Sequence, residues 1–158
     1  MSMCSSFVYG YGFYVNHIKD ESILSFIKNH TDSLPDGYSK LIDFLHDPSL
    51  KDFSSDTAET LTEMLMDGYY ASLREALLNA VAEIMRAETG IYFEYQSGQE
   101  DCIGEEGAIL LSQAMPWMFR GPETTLTENK FIELCKKYTT ELGIPNESIG
   151  DLEIEYYG

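Results

Sequence analysis

Three glutamates, Glu94, Glu153 and Glu155, have the type and setting for chemistry, because each falls in a run with strand character. Facing strands bring such carboxylates within reach of one divalent cation, or crowd them into an acid/base pair. The outer face of a sheet is commonly charged, so the same three residues also read as solvated strand positions. The histidines offer less. His17, His30 and His46 fall at chain turns and helix ends with no HExxH or Cys-His spacing, while Asp43, His46 and Asp47 share a helix face that reads as polar surface. Cys102 lies among Glu100, Asp101, Glu105 and Glu106, whose charge disfavours the thiolate and makes it a poor nucleophile. No GxSxG, P-loop or dinucleotide fingerprint occurs. The chain is read as a non-enzyme, with no catalytic residue, metal ligand or cofactor assigned.

The acids are more informative as blocks. The formal net charge of -17 arises from 27 acidic and 10 basic residues, and three stretches contain no Lys or Arg at all. Residues 52–73 carry Asp52, Asp56, Glu59, Glu63 and Asp67; residues 87–119 carry Glu88, Glu94, Glu100, Asp101, Glu105 and Glu106; residues 138–158 carry Glu141, Glu147, Asp151, Glu153 and Glu155. The remaining acids nearly balance all of the basic residues. Blocks of one sign imply a directed field rather than a merely soluble surface.

Element assignments give these blocks shape. A helix over 55–67 puts Asp56, Glu59, Glu63 and Asp67 within an arc of about 80°, opposite Ala58, Leu61 and Leu65. Like charges at three- and four-residue spacing cost about 1–2 kcal/mol in total along that face, with no Lys in the stripe to offset them. A solubility face normally mixes signs. In the closing strand, 151–157, Asp151, Glu153, Glu155 and Tyr157 alternate with Leu152, Ile154 and Tyr156. Carboxylates on one strand face repeat at about 6.8 Å, on the order of the spacing between successive phosphates in a nucleic-acid strand.

The rest of the chain must hold those surfaces. Phe7, Tyr9, Tyr11, Phe13 and Val15 form one face of a first strand, 6–15, whose other face is left bare by Gly10 and Gly12, suited to a helix or a bulge. Asp20 caps a helix over 21–30 with Ile23, Leu24, Phe26 and Ile27 inward; Pro35-Asp36-Gly37 turns into a second helix, 38–46. Ser72 and Glu75 form a capping box opening a helix to about Glu88, ended by Gly90 and expected to be the most buried. Strands follow at 91–95 and 108–113, joined by an acidic connection, and Met115-Pro116-Trp117-Met118-Phe119 forms a loop folded on the core or an exposed contact patch. Thr127 caps a last helix, 128–142, that stops at Gly143. The order implies an α+β fold: about four strands, mainly antiparallel, with about five helices packed largely on one face.

One domain spanning residues 1–158 accommodates this length, and 44% hydrophobic and 13% aromatic residues place the chain among globular proteins. No signal-peptide pattern or membrane-length apolar run is present, and Cys4, Cys102 and Cys135 fit no disulfide framework, so a cytoplasmic protein with reduced thiols is expected. A pI near 4.3 opposes direct binding to nucleic acid and to anionic membranes.

With its GYGF start, Pro116-Trp117, the LTENKFIELCKKYTTELGI helix and the EYYG terminus, the chain resembles small acidic proteins encoded by phages and prophages of Gram-positive bacteria. The resemblance implies a setting: such proteins are often inhibitors of host defence, of anti-CRISPR and anti-restriction type. It brings no catalytic residues. The expectation is an inhibitor that occupies the basic groove of a nucleic-acid-binding protein through Asp56, Glu59, Glu63, Asp67, Glu94, Glu100, Asp101, Glu105, Glu106, Asp151, Glu153 and Glu155. A structural or assembly module, including a homodimer, with acids serving only solubility is the alternative, and a carboxylate-metal enzyme is the third.

Overall fold

Alternation of apolar and small residues from Ser5 to Tyr14 makes the first strand, β1, and it becomes the spine of the sheet. In the computed structural model the described residues are 5–15, 18–46, 73–97, 107–111, 126–145 and 149–157. They form two compact units, one of Met1–Ile18 with Tyr92–Gly158 and one of Lys19–Ile91. Helix and antiparallel sheet are combined, as expected. The expected helix over 55–67 and the 115–119 segment lie outside the described residues.

In the first unit, β2 (Glu94–Ser97), β3 (Gly107–Leu111) and β4 (Gly150–Tyr157) join β1 in the order β2-β3-β1-β4, every neighbouring pair antiparallel. The pairing of β1 with β4 is unbroken from Ser5↔Tyr157 to Gly12↔Gly150, so the glycines make no bulge. The long helix of this unit, Glu128–Leu142, packs on the aromatic face of β1 rather than the glycine face. Phe131 meets Tyr11 edge-on at 5.6 Å and stacks on Phe93 at 5.6 Å, while the Tyr11 hydroxyl donates to Glu128 Oε1 at 3.0 Å. On the opposite face Ala108 and Leu152 are buried against half-buried Tyr14. The helix boundaries follow local chemistry: Thr127 Oγ1 accepts from the Lys130 amide at 3.2 Å, and Gly143 ends the helix at φ 79, a left-handed conformation that glycine adopts without strain.

The second unit is helical. Its α1 (Asp20–Asn29) buries Ile23, Leu24, Phe26 and Ile27, and α2 (Ser39–Leu45) follows two single 3₁₀ turns, Thr31–Ser33 and Asp36–Tyr38. The third helix, α3 (Leu73–Thr89), packs on α1 and buries residues around most of its circumference: Ala76, Leu77, Leu78, Ala80, Val81, Ala82, Ile84 and Met85. The Glu128–Leu142 helix is therefore α4. No helix among the described residues is long and apolar enough to cross a membrane.

Two boundaries differ from expectation. Asp20 is the first helical residue, with Lys19 at the cap in extended conformation, so its carboxylate favours the positive helix end by position and not by capping. The second strand begins at Glu94 instead of residue 91. Thr89 is responsible, since its hydroxyl donates to the Met85 carbonyl at 2.6 Å and accepts the Ile91 amide at 3.1 Å. That bond spends the Ile91 donor locally.

Where β2 meets β3, the Tyr95 phenol lies over Gly107. A Cβ at position 107 would stand 2.8 Å from Tyr95 Oη and 3.0 Å from the Gln96 carbonyl oxygen. Gly107→Ala is expected to cost about 1–3 kcal/mol of stability, as overpacking typically does, read from urea denaturation. An unchanged midpoint would show that the tyrosine yields freely.

Candidate functional site

Strand β4 places Asp151, Glu153 and Glu155 at alternate positions, paired across to Tyr11, Tyr9 and Phe7 of β1. Directly paired residues share a face, so these three acids have the parity of Tyr11 and Phe13, the face on which α4 packs. They stand along the outermost strand of the order. In the backbone register these positions fall on the parity of the helix-covered face rather than on a separate outer face.

Glu94 does not join them. Its partner Leu110 pairs with Gly12, and Gly12 with Gly150, which sets Glu94 on the parity of Leu152. Two strands intervene between β2 and β4 in the hydrogen-bonded order. The opposite face in the backbone register argues against Glu94, Glu153 and Glu155 as a shared metal or acid/base site. Glu94 is half-buried and accepts from Gln96 Nε2 at 3.1 Å, two residues along the same strand. Asp56, Glu59, Glu63, Asp67, Glu100, Asp101, Glu105 and Glu106 lie outside the described residues. Among the described residues, no three His, Cys, Asp or Glu side chains are grouped to hold a metal ion.

A polar cluster that the sequence did not reveal joins the ends of α1 and α3. Glu88 Oε2 is 2.7 Å from His30 Nδ1 and accepts the Ser33 hydroxyl at 2.7 Å; the His30 ring stacks on Phe26 at 4.3 Å. Beside it, Thr31 Oγ1 is 3.3 Å from His46 Nε2. Serine, histidine and acid invite a nucleophile reading, but the order is wrong. The hydroxyl donates to the carboxylate and not to the imidazole, so the serine–histidine step of a triad is not arranged. The cluster fastens helices. Glu88 is more than 50 residues from His30 and Ser33 in sequence, and no local spacing could have marked the cluster.

The one described cysteine, Cys135, is buried in α4, and burial pushes its thiol up to about 12. The thiolate, which is the reactive form, is thereby suppressed at neutral pH.

The chain matches no family model, no curated protein and no solved structure.

Two outcomes follow from these contacts. Glu88→Ala should lower stability by about 1 kcal/mol and speed amide exchange in α1, because two hydrogen-bond partners lose their acceptor; unaltered exchange would deny the joint a structural role. Cys135 should resist maleimide at pH 8 in the folded protein and react once urea unfolds it. Labelling at the same rate in both states would contradict its burial.

Proposed function

We propose that this protein is a non-enzymatic inhibitor that binds a nucleic-acid-handling host protein by occupying a basic groove with carboxylates, the role its resemblance to small acidic phage proteins implies. The observation that carries the proposal is the β4 row: Asp151, Glu153 and Glu155 at successive same-face positions, within a stretch from 138 to 158 free of Lys and Arg. Such a row repeats at about 6.8 Å and is held in line by backbone pairing, so it meets a groove built for phosphates with little ordering left to do. The same proposal carries a fifth helix over 55–67, with Asp56, Glu59, Glu63 and Asp67 as a second row, and an acidic connection bearing Glu100, Asp101, Glu105 and Glu106. Glu94, on the opposite face in the register, is left out of the contact with the β4 row.

The surplus of 17 negative charges supports steered association with a cationic target. Capture of such a target from host lysate should therefore fall steeply between low and high salt, and added nucleic acid should displace the protein from it. Reversing Glu59 and Glu63 to Lys should weaken the captured complex roughly tenfold by turning attraction into repulsion. Retention that ignores both salt and nucleic acid would end this reading in favour of an assembly module held by apolar contacts.

A further inference from the structure

We infer that His30 holds a second proton at neutral pH and that the resulting charge clamps the C-terminal ends of α1 and α3, giving the helical unit a joint that loosens as pH rises. The joint is independent of the acidic surface and holds whatever that surface binds. Glu88 Oε2 lies 2.7 Å from His30 Nδ1 and accepts the Ser33 hydroxyl at 2.7 Å. An ionised carboxylate only accepts, so Nδ1 carries a hydrogen in the neutral ring and in the charged one alike. What the second proton adds is charge, and the separation is that of a charge-assisted N–H···O bond, about 2.7–2.9 Å.

Three features favour the charged ring. His30 is the C-cap of α1, its amide bonded to the Ile27 carbonyl, and Glu88 is the last residue but one of α3. Each helix C-terminus carries about half a negative charge, so two such ends and a carboxylate meet at one imidazole. The ring also stacks on buried Phe26, centroids 4.3 Å apart, and an aromatic face attracts a cation within about 6 Å. The His30 and Glu88 side chains are only 14% and 21% exposed, so water screens the pair incompletely. Other charges nearby do not reverse the balance. From α3, Arg86 is turned to Glu83 at 2.9 Å. In the neighbouring turn and helices Asp32 adds to the attraction and Lys28 opposes it, as does His46 when protonated; all three are exposed and therefore well screened. Surroundings that favour the imidazolium raise the pKa of His30 in the folded chain above its ordinary value near 6.5. The proton then contributes its stability in full below about pH 6.5, and that contribution is lost as pH rises through the folded-state value. Protonation of Glu88, ordinarily near pH 4.3, sets the acid limit.

The test titrates the His30 ring resonance of the full chain by NMR, assigned through its loss in His30→Asn, a variant that keeps a neutral donor near the Nδ1 position. The proton affinity of His30 should be at least about tenfold higher in the folded protein than in urea. Glu88→Gln, which keeps an acceptor and the side-chain volume but not the charge, should remove most of that gain. Amide exchange in α1, corrected for its intrinsic pH dependence, should show local opening that grows more frequent between pH 6 and pH 9 in the native sequence, by about the same factor, and is level over that range in His30→Asn. An affinity no higher in the folded protein than in urea overturns the inference, and so does one that Glu88→Gln leaves unaltered. Should Glu88→Gln fail to fold, the titration of the native sequence and the His30→Asn exchange profile decide the matter. Opening that keeps its pH dependence without the imidazole overturns the inference as well.

Discussion

The antiparallel pairing of β1 with β4 is the constraint on which the rest of the first unit depends. Because side chains alternate with a period of two, the single fact that Gly12 stands opposite Gly150 settles the face of every residue from 150 to 157. It puts Leu152 with Ala108 and Tyr14 on one side, and the positions of Asp151, Glu153 and Glu155 with Tyr11 and Phe13 on the other. A slip of one residue would exchange the two sets. Acids would then fall on the side where Leu152 and Ala108 are buried, and the core would lose an apolar residue to a charge. Burial of Leu152 and placement of the acids are one choice.

Charge and packing also meet at α4. Its buried residues are Phe131, Cys135, Tyr138, Thr139 and Leu142, with the Thr139 hydroxyl donating to the Lys136 carbonyl, and Phe131 touches both Tyr11 and Phe93. Its exposed side mixes Lys130, Glu133, Lys136, Lys137 and Glu141. This is the mixed-sign surface that an ordinary soluble helix shows. The segment from 138 to 158 contains no Lys or Arg, so its sequence lacks that balance.

Local features were legible in the sequence. The bounds of α4 follow from Thr127 and Gly143, the burial of α3 from its stripe of Ala76, Leu77, Ala80, Val81 and Ile84, and the alternation of β4 from its acids. Boundaries failed where a side chain competed with the backbone: the Thr89 hydroxyl took the Ile91 amide and delayed β2 to Glu94. Pairing was not legible. Glu94 looked like a neighbour of Glu153 and Glu155 because all three lie in strand-like runs, and it is the register that sets it on the other face. His30, Ser33 and Glu88 meet through helix packing that no periodicity reports. Of the candidate contacts, the β4 row was readable as an alternation, while its face and its edge position were not.

The interruption of the first unit by the second has a kinetic consequence. The described helices within residues 19–91 find their partners inside that stretch, whereas β1 finds its partners only across the whole of it, at residues 107–111 and 150–157. Loop-closure entropy delays such pairings, and folding rates fall as the sequence separation of contacts rises. The helical unit is therefore expected to assemble while β1 is still an unpaired strand bearing Phe7, Tyr9, Tyr11 and Phe13, a segment prone to association in that interval. The acids of β4 belong to the strand that finally pairs with it, and until then the net charge of the whole chain, theirs included, keeps neighbouring copies apart.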